Sequence, residues 1–112
     1  MHRHIQQVVA AGARAKGYTA KLEHELGNGG IVDVHLEKGQ ETIAVEIAIV
    51  STPEREIHHI KQCLTVGYDK AFAMFSDEGL LRKTQEALPK VFSAEELGKV
   101  RLLPLRMLSE LG

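Results

Sequence analysis

Between Ile31 and Val50 the chain carries a pattern that few folds accommodate. Ile31-Val32-Asp33-Val34-His35-Leu36 and Thr42-Ile43-Ala44-Val45-Glu46-Ile47-Ala48-Ile49-Val50 both read as apolar strands, with only Glu37-Lys38-Gly39-Gln40-Glu41 between them. A turn of that length makes the two strands pair antiparallel. The segment before them alternates as well: Tyr18, Ala20, Leu22, His24 and Leu26 interleave with Thr19, Lys21, Glu23 and Glu25, the period of a half-buried strand. Gly27-Asn28-Gly29-Gly30 ends that strand as a turn. Two short loops therefore make an antiparallel meander of three strands.

Helical patterns bracket the meander. From His2 to Lys16 the residues Ile5, Val8, Val9, Gly12 and Ala13 recur at spacings of three and four, and Gly17 is a C-terminal stop. Ser51-Thr52-Pro53-Glu54 opens a second helix with a hydroxyl cap, a proline in the first turn and an acid at the positive end of the dipole. That helix runs to about Val66, with Ile57, Ile60 and Leu64 as its apolar stripe. Lys70 to Phe75 is a short strand, which after a helical crossover pairs in parallel with the third strand. Asp77 to Leu88 reads as a helix stopped by Pro89, and Lys99 to Leu105 as a last strand before a short tail helix. The expected architecture is one α/β domain over residues 1–112: an αβββαβ core with a mixed sheet flanked by helices, and a C-terminal αβα extension.

Composition narrows the functions such a domain can serve. With 44% hydrophobic residues the chain is not of the disordered class. Its 14 Lys+Arg against 15 Asp+Glu leave no global basic surplus, so DNA binding has to be local or supplied by an attached protein. Two Tyr, three Phe and no Trp argue against base stacking as the mode of action. Cys63 is the single cysteine and cannot form an internal disulfide, which suits a reducing compartment; the cytoplasm is the expected location. No apolar run is long enough to span a membrane.

Strict alternation puts Ile31, Asp33 and His35 on one face of the second strand, and Ala44, Glu46 and Ala48 on one face of the third. Asp33 and Glu46 are each flanked by strongly apolar neighbours, where a carboxylate is costly unless paired, hydrogen-bonded or bound to a metal. Facing each other across a tight hairpin, they form a two-oxygen site suited to Mg²⁺, which takes a couple of carboxylates plus water and phosphate. Two acids at exposed strand ends, with no chemistry, explain the same pattern.

The element order, with Asp33 in Val32-Asp33-Val34 and Glu46 in Val45-Glu46-Ile47-Ala48, resembles the PD-(D/E)XK nuclease superfamily, the restriction-endonuclease-like fold. The resemblance covers about His2 to Ser76. It implies that Asp33 and Glu46 hold Mg²⁺ or Mn²⁺ for binding or cleaving DNA, and that a lysine two residues after the Glu activates the attacking water. Two positions depart from the pattern: Val32 stands where a proline often precedes the Asp, and Ala48 where the lysine belongs. The first helix, with Gln6 and Gln7, also lacks the acid that some members carry there. More narrowly, Val45 to Ala48 and Ile60 to Asp69 look like nuclease-like domains at the C-termini of larger ATPase-type proteins of mobile elements and conjugation systems. A fused or associated ATPase or helicase would then supply the DNA affinity.

In some members the lysine has moved onto the helix after the third strand, which makes Lys61 the candidate substitute. It lies at the margin of the apolar stripe, where a lysine can bury its methylenes and extend its ammonium; a snorkelling surface lysine explains the position equally. The six histidines offer a zinc or manganese alternative, but His58 and His59 are adjacent on a helix and point about 100° apart. His35 is the exception, as a candidate phosphate-contacting group beside Asp33, and Glu23 or Glu25 can extend the acidic cluster. Three readings result: a metal-dependent nuclease using Asp33, Glu46 and Lys61; a catalytically inactive DNA-binding or protein-docking module; and a structural domain that pairs as a homodimer.

Overall fold

The computed structural model describes residues 1–107. In chain order the elements are α1 (His2–Ala15), β1 (Thr19–Glu25), β2 (Ile31–Lys38), β3 (Glu41–Ala48), α2 (Pro53–Thr65), β4 (Lys70–Phe75), α3 (Glu78–Val91), α4 (Ala94–Leu97) and β5 (Val100–Pro104), followed by a 3-10 turn over Leu105–Met107. The strands form one sheet in the order β1-β2-β3-β4-β5. β1, β2 and β3 pair antiparallel, whereas β4 and β5 add in parallel after helical crossovers. The result is a mixed five-stranded sheet flanked by helices.

The two faces of the sheet bury different helices. On one, Val34, Leu36, Ile43, Val45, Ile47 and Met74 close over Ile5 and Ala10 of α1. On the other, Val32, Ala44 and Ala71 pack with Ile60 and Cys63 of α2 and with Leu88 and Phe92 at the end of α3. Ala48, Ala73 and Phe75 continue that face against Leu80. The helix entrances use the expected chemistry: Thr52 Oγ1 accepts from Arg55 N at 3.2 Å, and Asp77 Oδ1 accepts from Gly79 N at 2.8 Å.

Four expectations change. Pro89 does not stop α3, which continues to Val91; a proline removes one helical hydrogen bond, and near a C-terminus packing of Leu88 and Phe92 outweighs that loss. α4 is additional, nucleated by a Ser93–Glu96 capping box. Where a tail helix was expected, the described residues show a 3-10 turn over Leu105–Met107, and residues 108–112 lie outside the described residues. Strict alternation fails in both β1 and β2. Ala20 and Leu22 pack on the α1 side while Leu26 packs on the α2 side, and Val34 and Val32 divide in the same way.

The switch is local. Glu23 takes φ 51°, a left-handed conformation uncommon for a side-chain-bearing residue, between Leu22 and His24. The β1–β2 pairing keeps one register on both sides of it, with Leu22 opposite Val34 and His24 opposite Val32. Asp33 therefore sits where the sheet changes the face that it presents to each helix layer.

Phe75 is fully buried where β4 meets α3. Phe75→Ala is expected to destabilise the domain by about 3–5 kcal/mol, read as a lowered midpoint in urea unfolding.

Candidate functional site

Asp33 and Glu46 come together at the end of the β2–β3 ladder. The regular pairing runs from Lys38–Glu41 to Val34–Val45 and stops there. Beyond it, Asp33 Oδ2 accepts the Ile47 N–H at 2.7 Å, so a side chain takes the place of a strand neighbour. Asp33 Oδ1 receives Gln6 Nε2 of α1 at 3.4 Å and lies 3.3 Å from His2 Nε2. Two strands and a helix thus fix this carboxylate.

Glu46 points toward α2 and is only 6% exposed. Its Oε1 is buried without a hydrogen-bond partner, and its Oε2 stands 3.9 Å from His59 Nδ1, which is itself buried and unbonded. Burial first, then Asp33 through its charge and a hydrogen bond to the protonated form, then the charge of Glu56, push the Glu46 carboxyl up to about 9. Alone at neutral pH it holds a proton.

The pair lies in an open cleft of about 950 Å³, walled by β1, β2, β3, the β3–α2 turn and α2. Glu23 and Glu25 border it, as do Arg55, His58, His59 and Gln62 on α2. Alternation expected Asp33 to share a face with His35, and the switch at this point separates them. His35 lies in the second helix layer, where its Nε2 donates to Glu37 at 2.6 Å and its Nδ1 accepts from Tyr68 OH at 2.5 Å. His24 stacks on its ring with centroids 4.3 Å apart. The hydrogen bond from His35 holds the Glu37 carboxyl below its usual value. His35 is thus a satisfied group outside the acidic cleft.

Lys61 does not join the acids. It is exposed and not among the cleft residues, and its charge is felt at Glu96, whose carboxyl the Ser93 N–H and hydroxyl, more than Lys61, hold below its usual value. The buried residues of α2 are Glu56, Ile60 and Cys63, a stripe turned by one residue from the expected Ile57, Ile60 and Leu64. That rotation carries Lys61 outward and Glu56 inward. Ala48, where the lysine of the motif is missing, is 2% exposed, packs with Ala73, Phe75 and Leu80, and borders the cleft.

Among the described residues no three His, Cys, Asp or Glu side chains are grouped to hold a metal directly. The two carboxylates, one with an orphaned buried oxygen beside an open cleft, fit a hard cation that keeps most of its water. No Lys or Arg ion pair reaches either acid among the described residues.

No protein-family model matches the chain, and no curated protein matches it. Among solved structures it is similar to the crystal structure of a protein of unknown function, AF1548, with a TM-score of 0.58 and 15% identity. That likeness shows the fold alone. It covers 92% of this chain and 57% of the other, so the chain spans little more than half of that protein's length.

The raised Glu46 carboxyl has a measurable consequence. The unfolded chain releases this proton near 4.5 and the folded chain near 9, so between these values the native state binds more protons. Stability of the metal-free protein is expected to fall as pH rises from about 5 to 9. Glu46→Gln should flatten that slope in thermal unfolding across the same range.

Proposed function

We propose that this chain is a restriction-endonuclease-like domain of the PD-(D/E)XK type, whose Asp33 and Glu46 hold Mg²⁺ or Mn²⁺ and through it engage DNA phosphate. One observation carries the reading: a buried carboxyl with an orphaned oxygen, in electrostatic contact with a second carboxylate, opens onto a cleft where, among the described residues, no Lys or Arg ion pair reaches either acid. Such a pair costs stability when left uncompensated, and a divalent cation removes that cost. When bound, the ion supplies Lewis-acid charge to a phosphodiester and to water. The chain's own residues do the rest. Ile47 N–H and Gln6 aim Asp33, burial desolvates Glu46, and Arg55, His58 and His2 line the cleft where phosphate oxygens would meet them.

A second reading, the same domain acting as a DNA-binding module without cleavage, is favoured by the lysine position. Ala48 offers only a methyl where it borders the cleft, and Lys61 is exposed and outside the cleft lining. Among the described residues no lysine lines the cleft with the carboxylates. With a net charge of −1, the domain fits a role inside or beside a larger DNA-processing ATPase that delivers the DNA.

Calorimetric titration with Mg²⁺ and Mn²⁺, run beside cleavage assays on supercoiled, branched and single-stranded DNA, tests both readings. The expected result is cation binding by the parent and its loss in the Asp33→Asn, Glu46→Gln double variant. Cleavage by the parent alone refutes the inactive reading. A parent that binds neither ion refutes the metal site itself. Lys61→Ala should change none of these readouts by more than twofold.

A further inference from the structure

Four buried polar atoms among the described residues have no hydrogen-bond partner: Gln6 Oε1, Glu46 Oε1, Glu56 Oε1 and His59 Nδ1. They do not scatter through the fold. Glu46, Glu56 and His59 line the same cleft, and Gln6 is bonded to Asp33, which lines it too. Buried polar groups are almost always satisfied, so several orphans around one opening mark a place where something polar belongs.

Glu56 is the least expected of them. It lies in the first turn of a helix that buries Ile60 and Cys63 on the same stripe, and it is 4% exposed. Ser51 Oγ, from the turn between β3 and α2, donates to its Oε2. That bond fixes the carboxylate and leaves Oε1 buried and free of donors at the cleft wall. Its charge is felt at Glu46, where it adds to that of Asp33. No Lys, Arg or His ion pair compensates Glu56 among the described residues, although Arg55 precedes it in the chain.

We propose that Glu56 is a third acidic member of the cation site, acting through water on an ion held by Asp33 and Glu46. The proposal rests on the Asp33–Glu46 reading given above and deepens it. A role through water agrees with the lack of any three-residue group close enough to ligate an ion directly. A strongly hydrated divalent cation presents water hydrogens outward, and Glu56 Oε1 is a fixed acceptor with nothing else to accept. Its charge adds attraction that two carboxylates alone do not supply, and Ser51 sets the direction in which that attraction acts. Glu56 is on this account a positioning residue. It orders the ion's water shell from the helix side, opposite the strands that carry the ligands.

Mn²⁺ titration followed by electron paramagnetic resonance and calorimetry tests the assignment on the full chain. Glu56→Gln keeps the shape and removes the charge, and is expected to raise the Kd for Mn²⁺ by about ten- to a hundredfold. Its unfolding temperature without metal should stay at or above that of the parent, because a buried charge has been removed. Glu56→Asp should bind Mn²⁺ more tightly than Glu56→Gln, since it restores the charge. Ser51→Ala keeps the charge and frees its orientation, and should weaken Mn²⁺ severalfold; it also serves as the test if Glu56→Gln does not fold. Binding within twofold of the parent in both Glu56→Gln and Ser51→Ala overturns the role of Glu56 while leaving Asp33 and Glu46 in place. A parent that binds no Mn²⁺ overturns the underlying site instead.

Discussion

The hydrogen bond from Ile47 N–H to Asp33 Oδ2 is the point on which the arrangement turns. It satisfies a backbone donor where the β2–β3 ladder has ended, so the strands can diverge without orphaning a buried amide. Divergence there leaves room for a cleft, and the same residue is held from the opposite helix layer by Gln6. Glu23, in its left-handed conformation, lets β1 follow β2 through the change of face. Removing the Asp33 carboxylate would therefore affect the end of the ladder as well as any ion, which is why Asn, able to accept through its amide oxygen, is the suitable replacement.

Much of the architecture was legible because it rests on local signals. Short turns forced the meander, a capped and proline-led segment began α2, and the apolar run Lys70–Phe75 defined β4 with its observed ends. The adjacency of Asp33 and Glu46 followed from the hairpin. What could not be read was which way the strands face around Asp33, because strict alternation assumes an unbroken pleat and nothing in Leu22-Glu23-His24 announces a positive φ. Pro89 misled for a related reason. A local helix breaker carries no sign of the packing of Leu88 and Phe92 on either side of it.

The helices carry the more instructive failure. In α1 the buried residues include Gln6 while Val8 is exposed, and in α2 Glu56 is buried while Ile57 and Leu64 are only partly so. Reading an amphipathic stripe assigns polar residues to solvent, so a helix that turns a polar side chain inward at a site is read one residue out of phase. That offset gave Lys61 a place at the cleft margin and hid Glu56. A signal was nonetheless present: Glu56, Ile60 and Cys63 also have helical spacing, and an acid on a stripe of that kind is a candidate for chemistry wherever two strand carboxylates lie nearby.

The left-handed Glu23 also bears on how this chain meets copies of itself. β1 and β5 are the outer strands of the sheet, and a long regular border is a template for a foreign strand. At β1 the row of main-chain groups is interrupted by Glu23, and the Ala20 carbonyl is already taken by Arg14. At β5, Pro104 has no amide hydrogen to offer. Both borders are thus short and interrupted, features that oppose edge-to-edge polymerisation of the sheet.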